Sequence, residues 1–113
     1  YVTTFSQNNI INSNCVESSS SNGIYIAGNQ NVISGNYSHD SGANGINISA
    51  KANIISNNSV FCGNGEPSSY TESQNTIISN GIGSSNLIEG NIILGKNYVD
   101  NGTNNTWANN KFE

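Results

Sequence analysis

The chain is poor in charged residues and has no arginine. Of its 113 residues only 9% are charged, the cations are Lys51, Lys96 and Lys111, and the formal net charge is −4. Proteins that bind nucleic acids gain much of their affinity by neutralising phosphates with Lys and Arg, and anionic membrane surfaces likewise attract basic patches. We therefore expect no nucleic acid among its partners. We also expect no membrane insertion, because no apolar run approaches the roughly 20 residues of a spanning helix.

Residues that bind metals or form disulfides are scarce as well. The sequence has one histidine and two cysteines, Cys15 and Cys62. A metal site needs several ligands close together, which this set does not offer, so we expect no metal and no cofactor. A disulfide needs Cα atoms within about 7 Å of each other. Because the two cysteines fall in different columns of the repeat described next, we expect both to be reduced.

Asparagine, by contrast, supplies about a fifth of the chain, and it is placed periodically. A phrase of the form Asn-x-Ile-x-x-Asn, with one Trp variant, occurs five times. The first three copies are 22 residues apart, the next interval is 33 and the last is 19. The first asparagines are Asn9, Asn31, Asn53, Asn86 and Asn105. The central apolar residues are Ile11, Ile33, Ile55, Ile88 and Trp107.

A second apolar pattern keeps the same period and predicts a short strand before each asparagine phrase. It consists of Val2, Ile24 and Ile46, and of Thr4, Ile26 and Ile48. Repeats of this length, with short Ile- and Val-rich segments between Gly and Asn, are typical of solenoids of parallel strands and unfavourable for helices. We predict an all-β fold, a single-stranded parallel β-helix of about five coils of roughly 22 residues. Residues 1–113 would form a single domain, expected to be a fragment of a larger protein.

The repeated asparagines have a physical role in such a fold. Where a coil turns between strands, its backbone groups lie inside, and an unpaired buried polar group costs about 1–3 kcal/mol. An asparagine amide offers an acceptor and two donors, so asparagines stacked one strand spacing apart can bond to one another and to the backbone. We predict an internal ladder of Asn14, Asn36, Asn58, Asn91 and Asn110. We expect positive φ in the turns from the Asn-Gly pairs that begin at Asn22, Asn44, Asn64, Asn80 and Asn101.

The phrases NGIYIAGNQNVISGN and NGINISAKANIISNN resemble the parallel β-helix repeat of the pectate-lyase-like superfamily, and the resemblance covers nearly the whole chain. It implies a right-handed solenoid. The superfamily includes polysaccharide lyases, hydrolases, uronan epimerases and phage tailspikes, so it also implies a glycan partner and an extracellular, virion-surface or cell-surface location. The fold alone does not assign an activity.

Two catalytic sets of that superfamily are missing from the sequence. Its polygalacturonases use clustered aspartates and a histidine, whereas this chain has only Asp40 and Asp100, sixty residues apart. Its pectate lyases use an arginine base and aspartate-bound calcium, which this sequence cannot supply. If the whole protein is an enzyme, its catalytic residues lie outside this segment or are of another kind.

The repeat is interrupted between Val60 and Asn86. The expected insertion loop covers about residues 61–74, the stretch FCGNGEPSSYTESQ, which contains the only proline. Alternatively, NTIISN at residues 75–80 is an additional copy of the repeat. We favour NTIISN as the first strand of the fourth coil, because this keeps Asn86 and Asn91 in register with the ladder. Loops of this kind often carry function, but a tolerated surface insertion is an equal alternative.

One group of ionisable residues is brought together by the period. Glu17 and His39 fall in one column and Asp40 follows in the next, so the carboxylate of Glu17 is expected one strand spacing from the imidazole, within reach for acid–base catalysis. The alternative is a solvated turn. Tyr25, Tyr37 and Tyr70 are candidates for stacking on sugars, although single tyrosines on strands are as often structural.

An apolar column precedes the inward isoleucines and should point outward. It consists of Ile10, Val32, Ile54 and Leu87. Such a stripe marks an interface or reflects strand propensity alone. Tailspikes of the similar family pack three β-helices side by side, so we expect a homotrimer or larger assembly. Trp107 and Phe112 could close one end of the rod, and an uncapped end would promote association.

Three functions fit these observations. The first is a tailspike-like or cell-surface segment that binds or processes polysaccharide. The second is a lyase, hydrolase or epimerase, with catalysis outside the segment or at Glu17, His39 and Asp40. The third is a purely structural solenoid, such as a spacer or fibre.

Overall fold

The structure is a computed structural model that describes residues 2–61, 75–79, 81, 83–95 and 98–112. In these residues it contains strands joined by turns and no helix, as predicted, and the strands are stacked as a parallel β-solenoid.

Each rung of the solenoid has three strands. Rungs one and two are β1 (Val2–Thr4), β2 (Ile10–Asn12), β3 (Cys15–Glu17), β4 (Ile24–Ile26), β5 (Val32–Ser34) and β6 (Tyr37–His39). Rungs three to five are β7 (Asn44–Ile48), β8 (Ile54–Ser56), β9 (Ser59–Phe61), β10 (Asn75–Ser79), β11 (Leu87–Glu89), β12 (Ile92–Leu94), β13 (Val99–Asp100), β14 (Thr106–Ala108) and β15 (Lys111–Phe112).

Three five-stranded parallel sheets run along the rod. The first sheet has the order β1-β4-β7-β10-β13, the second β2-β5-β8-β11-β14 and the third β3-β6-β9-β12-β15. Five strands in a sheet are separated by four steps, so the chain makes about four turns, slightly fewer than the five coils predicted. Each residue is paired with the residue one period later, for example Ile11 with Ile33 and Ile33 with Ile55.

The long interval in the repeat falls between the third and fourth rungs. Strand β10 pairs with β7, with Ile77 opposite Ile46, so NTIISN is the first strand of the fourth rung and not an additional copy. Phe61 had been assigned to the insertion, but it is the last residue of β9 and pairs with Leu94. The rest of the expected insertion, residues 62–74, lies outside the described residues, as does Cys62. Cys15 is exposed on β3.

The core is a narrow aliphatic column filled from all three sheets. Strand alternation turns one or two side chains of each short strand inward, and full burial of an Ile or Val side chain contributes about 1.5–3 kcal/mol. Ile11 and Trp107 pack against the column from the first and last rungs and are only partly buried. The buried members of the column are Val16, Ile24, Ile26, Ile33, Ile46, Ile48, Ile55, Val60, Ile77, Ile88 and Ile93.

The predicted asparagine ladder is present at the corner between the second and third sheets. The side-chain Nδ2 of each asparagine donates to Oδ1 of the asparagine in the next rung, over 2.9–3.0 Å. The backbone N–H of the same residue donates to that Oδ1 as well, over 2.9–3.0 Å. Nδ2 also donates to an isoleucine carbonyl of the preceding rung, for instance from Asn58 to Ile33. The members of this ladder are Asn14, Asn36, Asn58, Asn91 and Asn110.

A second ladder, which the sequence did not lead us to predict, occupies the corner between the first and second sheets. It is formed by the first asparagine of each phrase, and each backbone N–H donates to Oδ1 of the next rung over 2.8–2.9 Å. The three middle members, Asn31, Asn53 and Asn86, are only 1–2% exposed. Two columns of amides therefore pair the buried backbone groups at two of the corners.

At the described Asn-Gly pairs, the predicted source of positive φ is wrong. Gly23, Gly45 and Gly102 do not have positive φ, and Gly45 lies inside β7. Asn64 and Asn80, which begin the other two pairs, lie outside the described residues. Gly23 is needed for close approach instead, because a Cβ there would collide with Ser38 Oγ and lie 2.8 Å from the Gly45 carbonyl oxygen. The residue before each ladder asparagine takes the left-handed conformation, with φ of 53–63°. These residues are Asn8, Gln30, Ala52, Ser85 and Asn104 at one corner, and Ser13, Gly35, Asn57, Gly90 and Asn109 at the other.

Loss of a central ladder amide should strongly destabilise the protein. In an Asn58→Ala variant the N–H and Nδ2 of Asn36 lose their shared acceptor. At about 1–3 kcal/mol for each buried group left unpaired, we expect the free energy of unfolding to fall by about 3 kcal/mol or more. Denaturant titration measures it, with the exposed Asn12→Ala as control. A loss similar to that of the control would contradict the assigned role of the ladder.

The corner conformation can be tested by a pair of substitutions with opposite signs. Gly35 has φ of 63° and open space where a Cβ would stand, so Gly35→Ala should cost about 1 kcal/mol from backbone strain alone. Ala52 is exposed with φ of 56°, so Ala52→Gly should stabilise the protein by about 1 kcal/mol. Thermal unfolding of both variants gives the two signs, and equal signs would refute the left-handed corner.

Candidate functional site

The candidate site lies on the outer surface of the third sheet, which we call the third-sheet face. The inward residues of its strands include Val16, Ser38, Val60 and Ile93, which are buried, so the flanking residues point outward. Parallel stacking arranges them in two columns. One column is Cys15, Tyr37, Ser59, Ile92 and Lys111, and the other is Glu17, His39, Phe61 and Leu94.

Glu17 and His39 are in contact on this face. They are directly opposite each other in β3 and β6, and His39 Nε2 lies 3.1 Å from Glu17 Oε2. The side chain of His39 is 18% exposed and that of Glu17 is 66% exposed. His39 Nδ1 is buried, and no hydrogen-bond partner reaches it among the described residues. The imidazole is thus held by the carboxylate through one nitrogen while Glu17 stays open to solvent.

Tyr37 connects this pair to a row of aromatic rings. Its ring lies edge-on to His39 and to Phe61, with centroid distances of 5.0 Å and interplanar angles of 65° in both cases. Tyr37 remains 39% exposed. Edge-to-face packing fixes the rings in relation to each other, and an exposed Tyr presents an apolar body together with a polar hydroxyl. The row Glu17, His39, Tyr37 and Phe61 therefore combines a carboxylate, an imidazole and exposed aromatic surface.

Asp40 does not join the pair. It follows β6 in a left-handed conformation with φ of 54°, is exposed, and accepts a hydrogen bond of 3.3 Å from Ser18 Oγ. The structure thus brings together Glu17 and His39 from the predicted set, whereas Asp40 bonds within the neighbouring column. Most glycosidases use two carboxylates that flank the scissile bond. Here one carboxylate contacts an imidazole, an arrangement suited to transfer of a proton.

The three candidate tyrosines do not form one cluster. Tyr25 is on β4 in the first sheet, where Phe5 lies edge-on to it at 6.0 Å. Tyr37 is on the third-sheet face, and Tyr70 lies outside the described residues. Sequence reasoning missed Phe61 as a member of the site. The signal that could have found it is the period itself, because Phe61 is 22 residues after His39, but the expected insertion at residues 61–74 excluded it from that surface.

The predicted outward apolar column lies on the outer side of the second sheet. Ile10 is 71% exposed and Ile54 is 39% exposed, while Val32 and Leu87 are half-buried. On the neighbouring third-sheet face, Ile92 is 41% exposed. The second and third sheets therefore carry exposed aliphatic surface at several levels of the rod.

Within the ranges given above, no group of three or more His, Cys, Asp and Glu side chains is placed to hold a metal ion. In the same residues no helix is long and apolar enough to cross a membrane.

A second polar cluster is found in the fifth rung around Asp100. Its Oδ2 accepts a hydrogen bond of 2.8 Å from Trp107 Nε1, and its Oδ1 accepts bonds from Asn105 Nδ2 at 2.8 Å and from the Gly102 N–H at 3.0 Å. Partial burial raises the pKa of Asp100, but the bonds from Asn105, Trp107 and Gly102 together lower it below its ordinary value. The ionised form is therefore stabilised by folding.

This lowered pKa predicts a pH-dependent contribution to stability. Such a carboxylate contributes fully above its unfolded pKa, near 3.8, and the contribution is lost as the pH falls through the lower folded pKa. Asp100→Asn should therefore lower the unfolding midpoint at pH 7, and the gap to the wild type should shrink towards pH 2. Circular dichroism melts at several pH values measure the gap. A gap independent of pH would contradict the stabilisation of the charged form.

Comparisons with known proteins identify no relative whose site could be compared with this one. A scan against models of protein families gives no match, and searches of curated proteins and of solved structures give none. The fold assignment rests on the periodic sequence and the structure, and the candidate site rests on the geometry of the third-sheet face.

Proposed function

We propose that the chain is a β-helix segment of a tailspike-like or cell-surface protein of the pectate-lyase-like kind, and that its third-sheet face binds polysaccharide. The observation that carries the proposal is the row in which the exposed Tyr37 lies between His39 and Phe61. Pyranose rings present C–H faces that pack on aromatic rings, while their hydroxyls bond to carboxylates and imidazoles. A rod with neighbouring strands about 4.8 Å apart offers such groups along the length of an extended chain.

The charges of this face favour a neutral glycan over a polyuronate. Uronate binding needs cations, and the chain has no arginine. Of the described lysines, Lys51 lies before β8, and Lys111 is on the third-sheet face three rungs from Tyr37, about 14 Å away. The carboxylate of Glu17, 66% exposed beside the aromatic row, would repel a uronate. Neutral hexose polymers avoid this repulsion, and their hydroxyl groups can donate hydrogen bonds to the carboxylate of Glu17.

The proposal extends to assembly and location. Exposed Ile10 and Ile54 on the second sheet and Ile92 on the third are apolar surface suited to contact with further copies, as in a side-by-side homotrimer. A tailspike-like or cell-surface protein meets its glycan outside the cell, so the proposed location is extracellular, on a virion or on a cell surface.

A second candidate function is supported by one specific contact, the 3.1 Å approach of Glu17 to His39. A carboxylate that orients an imidazole is a common arrangement for general acid–base catalysis. In this alternative the same face cleaves or epimerises the glycan that Tyr37 and Phe61 hold.

Binding to the proposed face is tested with substitutions on two sheets. Tyr37→Ala should weaken binding of a neutral polysaccharide roughly tenfold or more, because it removes the central ring of the row. Tyr25→Ala, which removes a tyrosine from the first sheet, is the matched control and should leave affinity unchanged. A panel of neutral and acidic polysaccharides in affinity electrophoresis provides the measurement. Equal losses in both variants, preference for acidic polymers, or no binding at all would refute the proposal.

The enzymatic alternative is separated from binding by assaying released reducing or unsaturated ends in the same panel. Product that disappears in His39→Ala, while binding persists, would establish turnover at the Glu17–His39 pair. Binding without product in the wild type would leave a glycan-holding rod.

A further inference from the structure

The fifth rung differs from the others at its inward positions. In the fourth rung, Ile77, Ile88 and Ile93 point inward from the three sheets and are at most 1% exposed. In the fifth rung Trp107 pairs with Ile88 and Phe112 with Ile93. Tyr98 directly precedes β13, and continuing the register of β10 and β13 by one residue puts it level with Ile77. One inward position of each sheet therefore changes from isoleucine to an aromatic residue in a single step.

These three rings meet across the cross-section of the rod. The centroid of Tyr98 lies 5.1 Å from that of Trp107 and 4.5 Å from that of Phe112. Trp107 packs against the aliphatic core, whereas Tyr98 and Phe112 remain about half exposed. Together the rings form a plate, Tyr98, Trp107 and Phe112, over the last aliphatic layer.

The same rung also ends the first asparagine ladder. Between rungs, Nδ2 of Asn53 donates to Oδ1 of Asn86, and Nδ2 of Asn86 donates to Oδ1 of Asn105, at 3.2 and 3.1 Å. At Asn105 the acceptor is instead Oδ1 of Asp100, within the same rung, at 2.8 Å. Asp100 thus takes the position in the ladder that an asparagine of a further rung would otherwise fill.

Asp100 also makes this end unsuitable for burial. Asp100 comes directly after Val99 in the sequence, and it stacks in the column formed by Ile26, Ile48 and Ser79 of earlier rungs. Its carboxylate is exposed. A coil stacked on the fifth rung would cover this charge, and no lysine or arginine pairs with it among the described residues. Three hydrogen bonds reach this carboxylate, but burying a charge that has no cationic partner is unfavourable.

The opposite end of the rod is built differently. There Thr4, Asn9 and Ile11, with neighbouring residues of the first rung, line an open depression of about 460 Å³. The inward residue of the second sheet at this end, Ile11, is aliphatic like those of the middle rungs. The two ends of the described rod therefore present different surfaces.

We propose that the fifth rung is a capping rung. The plate of Tyr98, Trp107 and Phe112 covers the aliphatic core, and Asp100 ends the asparagine ladder and places a charge where a coil would have to stack. A further coil, whether of this chain or of a second copy, does not stack on this end, and head-to-tail polymerisation of the rod is prevented. This inference is independent of glycan binding.

The test adds one coil to the full chain. Phe112 is level with Ser38 in the register of the third sheet, so a second copy of residues 40–61 that begins two positions after Phe112 is in phase for a sixth rung. On the unmodified fifth rung, hydrogen exchange should show the added amides exchanging at the rate of an unfolded peptide. Protection of the added coil on this host would overturn the proposal.

The matched host replaces the cap by residues of the fourth rung, with Tyr98→Ile, Asp100→Ser, Trp107→Ile and Phe112→Ile. On this host we expect exchange of the added strand amides to slow by about tenfold or more. An added coil that is equally unprotected on both hosts would also overturn the proposal, because the cap residues would then not be what prevents stacking. Protection of β4 to β12 verifies that each host is folded. If the fourfold variant is not, the host with only Asp100→Ser and Phe112→Ile decides in the same way.

Discussion

The hydrogen bonds between stacked asparagine amides are the interaction on which the rest of the structure depends. In each column, Oδ1 of one residue accepts from the backbone N–H of the asparagine below, so the bond joins a side chain of one rung to the backbone of another. These bonds form only when successive corners are one strand spacing apart and in the same conformation. They therefore fix register, and with it the positions of all three sheets, while the isoleucine column between them supplies the apolar burial.

In such a scaffold the inward positions are filled by the core, so the side chains accessible to other molecules are those of the outward columns. Every outward residue lies one strand spacing from its counterpart in the next rung, so side chains far apart in sequence, such as Glu17, His39 and Phe61, are held in a row. Because β3 and β6 are only three residues long, the position of the row depends on the corners beside them. For the binding face that we propose, such preorganisation would lower the entropic cost of holding an extended ligand.

Several elements show how far sequence reasoning reaches. The placement of NTIISN in the fourth rung was predictable, because only that assignment kept Asn86 and Asn91 in phase, and the same logic put Glu17 beside His39. The reasoning failed where a residue type was interpreted without its neighbours. Asn-Gly pairs usually indicate turns, yet Asn44 and Gly45 are part of β7. The positive φ occurs at residues without a special preference for it, such as Gln30 and Ala52. The strain there is about 1–2 kcal/mol, and it is outweighed because the asparagine that follows forms hydrogen bonds through both its backbone N–H and its side-chain amide.

By itself the sequence determined the fold class, the period and the columns, because parallel in-register stacking converts a fixed spacing along the chain directly into proximity. Only the tertiary structure decided what occurs between columns and within a rung. Asp40 bonds along its own column to Ser18 and not to His39, Asp100 reaches both Asn105 and Trp107, and Tyr98 meets Phe112 across the core. The contacts of Asp100 and Tyr98 do not follow the period, because each depends on backbone conformation at a corner and on the direction that a side chain takes from it.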